Sequence, residues 1–112
     1  MKRDIGLFIE DIFENIRDIE SFSKDLTKEE FFNSKLKQNA IIRSLEVIGE
    51  SVKNIPDSFR NKYPNVPWKI IAGFRDVLIH SYFGVDLDRV WNIIKFDLSA
   101  LKKEIEKIKL WI

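Results

Sequence analysis

Ile5, Phe8, Ile9, Ile12, Phe13, Ile16, Ile19 and Phe22 recur with helical periodicity and form one apolar stripe. That stripe predicts a first helix from about Asp4 to Ser23. Lys24-Asp25-Leu26 breaks it. Thr27-Lys28-Glu29-Glu30 then has the Thr-x-x-Glu form of a capping box, in which hydroxyl and carboxylate each satisfy a free backbone amide, so a second helix starts there. Asn33-Ser34 interrupts it, and Ser34 can cap a longer helix that reaches about Asn54. Within that helix Ile41, Leu45, Ile48, Val52 and Ile55 alternate spacings of four and three, close to a coiled-coil seam. Gly49 sits inside it at a cost of about 1 kcal/mol relative to Ala, which a close helix–helix approach explains more simply than a functional kink.

Residues Pro56 to Pro67 hold all three prolines and form the one irregular stretch. Asp57 can cap a single turn around Phe59 and Tyr63, whose aromatic rings argue for a packed connection and against a linker. Pro67 suits a first helical position, and Trp68, Ile71, Phe74 and Leu78 give the following helix its buried face. Gly84 is placed to end that helix. Asp86 then caps a final helix carrying Val90, Trp91, Ile94, Leu98, Leu101, Ile105 and Ile108 inward. No repeat, low-complexity tract or strand pattern interrupts this plan. The expected fold is all-α, an up-and-down bundle of four main helices plus short helical turns, with residues 1–112 forming a single domain.

Composition sharpens the picture by exclusion. The chain has 112 residues, 33% charged and 45% hydrophobic, with a net charge of +1. Disorder and bulk electrostatic coating of nucleic acid are both disfavoured by those values. There is no cysteine and only one histidine, so a disulfide framework or thiolate zinc site is excluded and no metal or cofactor is expected. The glycines are too far apart for a phosphate-cradling loop. No apolar run is long enough to span a membrane, and Met1-Lys2-Arg3-Asp4 leads straight into a charged amphipathic pattern, so the chain reads as soluble and cytoplasmic.

Most charge reads as solvated surface. Lys102, Lys103, Lys107 and Lys109 share the last helix with Glu104 and Glu106, and an exposed face accounts for them. The segment from Gly73 to Gly84 differs, because Arg75, Asp76, the only histidine (His80) and Tyr82 crowd one helix end. Asp76 and His80 are four apart and share a face, so the carboxylate can orient the imidazole. Arg75 and His80 are five apart, about 140° around a helix at roughly 100° per residue. They converge only through the long guanidinium arm, a loosened last turn or a second copy of the chain. A helix-dipole or capping role for His80 is the alternative. A second polar stripe, Arg43, Glu46, Glu50 and Lys53, follows one side of the second long helix. It is either a ladder of ion pairs or the lining of a pocket that contains Arg75 and His80.

Arg75-x4-His80-x-Tyr82 resembles the Arg-x4-6-His motif of HEPN domains, in the fuller Arg-x4-His-x-Tyr form of the HepT toxins. Arg43-Ser44-Leu45-Glu46-Val47-Ile48-Gly49-Glu50 is similar to that family's second-helix block. Val66 through Gly73 resembles its lead-in, and Gly84-Val85-Asp86 through Trp91 its continuation. The resemblance implies a homodimeric toxin that cleaves RNA without metal, with both motifs at a shared interface. It also implies restraint by a minimal nucleotidyltransferase antitoxin (MntA-like) that adenylylates the motif tyrosine, here Tyr82. In this family's terms Arg75 and His80 are catalytic and Asp76, standing where Asn is frequent, supports them. The chemistry fits the inventory, since 2′-hydroxyl attack needs a base, an acid and positive charge on the phosphorane. One histidine per chain supplies a base and an acid only if two chains meet. The alternative is a non-catalytic helical module of the same fold that binds a nucleotide or a nucleotidyltransferase partner.

Overall fold

Side-chain caps set where the helices begin. Asp4 opens α1 (Ile5–Ser23) by accepting from the Gly6 amide at 2.9 Å. Thr27 opens α2 (Lys28–Asn33) with the expected capping box: its hydroxyl accepts from the Glu30 amide at 3.1 Å, and its amide donates to the Glu30 carboxylate at 3.0 Å. Those two bonds, the one from the backbone foremost, hold the Glu30 carboxyl below its ordinary pKa. Ser34 both closes α2 and opens α3 (Lys35–Lys53), donating its amide to Phe31 at 3.3 Å and accepting from Lys37 at 3.1 Å. Between α1 and α2, Asp25 adopts φ 58°, the left-handed conformation that ends many helices and that Asp tolerates better than most residues.

The computed structural model describes residues 4–79 and 86–112, with the backbone alone over 75–79. After α3 come α4 (Asp57–Arg60), α5 (Trp68–Ile79), α6 (Leu87–Asn92), a π-turn (Ile93–Asp97) and α7 (Leu98–Trp111). The described residues contain no strand. This is the all-α bundle expected: four long helical rods, with α2 and α4 as the short helical turns between them. α3 packs along both α1 and α5, and α7 returns along α1. Ile9, Ile12, Ile16 and Ile19 of α1 meet Ile41, Leu45, Ile48 and Val52 of α3 in one continuous core that also takes in Ile71, Ile105 and Ile108. Among the described residues no helix is long and apolar enough to cross a membrane.

Four details depart from the sequence pattern. Asp57 does not cap α4; it is the first helical residue and pairs with Arg60. Pro56 holds the cap position, and its carbonyl accepts from both Phe59 and Arg60 at 3.0 Å. Pro67 lies one residue before the helix it was expected to start, its carbonyl taking the Ile71 amide at 3.1 Å. The last rod is not uniformly α-helical, because the π-turn advances five residues per turn. Ile93 is therefore buried, while Ile94, expected inward, is half-buried at the core's edge. Finally, two lysines of the expected exposed face bridge α7 to α1. Lys102 reaches Glu20 at 2.9 Å and Lys109 reaches Glu10 at 3.0 Å, with the Lys109 ammonium 3.8 Å from the Phe13 ring centroid. The order of these pairs makes α1 and α7 antiparallel, their long aliphatic stems lying along apolar surface.

Candidate active site

The helix that carries the motif is anchored at its first residue. The Trp68 indole N–H is shared between the carbonyls of Arg60, at 3.1 Å, and Tyr63, at 3.0 Å. This ties the proline-rich connection to the start of α5 and fixes where the helix points. Ile71 and Phe74, both buried, hold α5 on the core. Phe74 directly precedes Arg75, so the backbone that presents the arginine leaves a packed position. α5 continues through Arg75 and Asp76 to Ile79.

The described residues then stop short of the full motif. His80 and Tyr82 lie outside them, as do the expected helix end at Gly84 and the side chains of Arg75, Asp76 and Leu78. Description resumes at Asp86, whose carboxylate accepts from the Arg89 amide at 3.2 Å and caps α6 as expected.

On α3, the helix packed against α5, Arg43 pairs with Glu46 at 3.5 Å with a largely exposed guanidinium. That contact is a rung of an exposed ladder, of the kind that contributes roughly 0–1 kcal/mol. Glu50, also proposed as pocket lining, is exposed one turn further along the same helix. Among the described residues no group of three or more His, Asp or Glu side chains is arranged to hold a metal ion.

Sequence reasoning missed one surface beside this region. A groove of about 310 Å³ runs between α5, the π-turn and α7, bordered by Ile70, Phe74, Phe96 and Leu101. Its signal was Phe96, which falls off the inward stripe of the last rod and would have been read as an outward aromatic.

A family model described as "Ribonuclease HepT-like" matches residues 12–108. A "Putative RNase" of Methanocaldococcus jannaschii is 53% identical over 107 residues, covering 96% of this chain and 92% of its own length. A "Probable ribonuclease HepT" of Thermococcus cleftensis is 45% identical over 109 residues, covering 97% of this chain and 99% of its own. A longer Methanocaldococcus jannaschii protein, "Gamma-glutamylcyclotransferase and putative RNase", is 48% identical over 108 residues, and this chain spans only 49% of that relative's length. No solved structure matches the chain.

Proposed function

The chain belongs to the HepT-like ribonuclease family, and from that premise we propose that it is the toxin of a toxin–antitoxin pair. In this reading residues 1–112 are one HEPN domain, a metal-independent endoribonuclease whose site is assembled from Arg75 and His80 of two copies. The observation that supports it most is the family match across residues 12–108. That span includes Arg75-x4-His80-x-Tyr82 together with the helices on either side of it.

Two copies supply what one lacks. One His80 imidazole takes the proton of an RNA 2′-hydroxyl as its oxygen bonds to the adjacent phosphorus. The second His80, protonated, gives its proton to the departing 5′-oxygen, and a 2′,3′-cyclic phosphate remains. The two Arg75 guanidiniums bind the non-bridging oxygens and offset the charge that builds there. Asp76 orients His80 from one turn away and raises its basicity.

Tyr82 is the regulatory handle. A minimal nucleotidyltransferase antitoxin bonds the Tyr82 oxygen to the α-phosphorus of ATP and releases pyrophosphate. The attached AMP then carries a negative phosphodiester beside Arg75 and His80, occupies the clamp and repels the incoming RNA backbone. No conformational change is needed.

The decisive assay is RNA cleavage in EDTA. Wild type should cleave, His80→Ala should not, and a distant surface variant such as Leu36→Ala should match wild type. Cleavage that needs added metal, or that survives in His80→Ala, overturns the mechanism. Incubation with the partner enzyme and ATP should add AMP to the Tyr82 peptide by mass, and Tyr82→Phe should escape both modification and silencing.

A further inference from the structure

We infer that the groove between α5, the π-turn and α7 is where a second copy of this chain docks, with Phe96 and Ile70 of each copy entering the groove of the other. This rests on the two-copy site proposed above and names the surface that would bring the copies together.

Three features of one face support it. Phe96 is 74% exposed and Ile70 is 60% exposed, although both border an apolar groove of about 310 Å³. Projecting apolar side chains beside a hollow of matching character are self-complementary, which is what a two-fold interface requires. Secondly, a methyl group at Gly73 would meet no atom within 4 Å. A glycine inside a helix costs stability relative to Ala, and no contact with a described residue explains it, whereas a chain approaching α5 from outside does. Thirdly, the polar groups select the occupant. Asp97 and Glu104 line the groove, and Lys69 and Lys95 immediately precede the two projecting residues. The carboxylates repel an RNA backbone. A second copy brings its own lysines to them, so each copy carries both halves of the complement.

The face is also extensive enough. A second hollow along α7, lined by Ala100, Glu104, Lys107 and Leu110, shares residues with the groove and continues it toward the C-terminus. A stable dimer needs about 800 Å² from each partner. Because α5 carries both Ile70 and Arg75, docking here brings the two motif-bearing helices into one assembly.

The test is sedimentation equilibrium of wild type, Ile70→Asp, Phe96→Asp and, as a control, Leu36→Asp at another exposed apolar position, with circular dichroism to verify helicity. Wild type and Leu36→Asp should be dimers at micromolar concentration. The two groove variants should dissociate at least 100-fold more readily with unchanged helicity. Should either variant lose helicity, Phe96→Ala and Ile70→Ala, which introduce no charge, should still weaken the dimer at least 10-fold. Dimers of wild-type strength in all groove variants overturn the assignment of this surface, as does a wild-type monomer. So does a variant that stays dimeric but loses RNA binding, since RNA would then be the occupant. The two-copy site is tested separately by mixing Arg75→Ala with His80→Ala chains. Recovered cleavage in that mixture preserves the composite site even where the groove variants remain dimeric.

Discussion

The amide of Leu98 donates to the carbonyl of Ile93, five residues back, and that bond decides which face of the last rod enters the core. An α-helix would have brought Ile94 inward one turn before Leu98. The wider turn brings Ile93 instead and carries Phe96 out to solvent. Ile93→Ala should therefore cost about 2–5 kcal/mol as a cavity mutation. Ile94→Ala should cost distinctly less. Urea unfolding of both variants measures the difference, and the reverse ranking would refute the π-turn register.

Trp68 ties the proline-rich connection to α5 through a single shared N–H. Trp68→Phe keeps an aromatic ring in the pocket but withdraws the donor from two part-buried carbonyls. Leaving such groups unpaired should cost about 1–3 kcal/mol. Thermal unfolding gives the loss, and hydrogen exchange at residues 59–66 should rise selectively.

The capping box makes a small acid-sensitive contribution. Glu30 has its folded pKa lowered by its bonds to Thr27, so the ionised carboxylate favours the folded state. That contribution is present above the unfolded value, about 4.3 for Glu. It is lost as pH falls through the lower folded value. Glu30→Gln keeps an acceptor without a titrating charge, so wild type should be the more stable at pH 7 and the gap should close in acid. Urea midpoints across that range test it, and a gap independent of pH would remove the charge from the explanation.

At the proposed site, Arg75→Lys should lower cleavage severely although the charge is kept, because an ammonium cannot reproduce the planar two-pronged grip on phosphate. Asp76→Asn should be tolerated or activating, since it removes a negative charge from the path of the RNA and leaves a group able to orient His80. Cleavage rates of the two variants, with folding verified by circular dichroism, measure both effects. An inactive but folded Asp76→Asn would assign that residue a direct catalytic part.

What the sequence by itself determined follows from local physics. Helical periodicity and the caps at Asp4, Thr27, Ser34 and Asp86 depend on residues within one or two turns of each other, so the all-α bundle and most element boundaries were legible without a fold. The cluster of Arg75, Asp76, His80 and Tyr82 was legible too, because ordered spacing is itself a sequence property. Tertiary structure decided the remainder. Whether a mid-helix segment widens into a π-turn depends on which of Ile93 and Ile94 the opposing helices can bury, and no local rule chooses between adjacent isoleucines. Trp68 was marked for burial by its spacing, but the two carbonyls that accept its N–H belong to a connection folded back across the start of α5. Lys102 and Lys109 looked like solvated charge until α1 placed Glu20 and Glu10 opposite them. The groove beside α5 exists only because α5 and the end of the bundle's last rod, far apart in sequence, lie side by side, and a hollow between two surfaces cannot be read from either one alone.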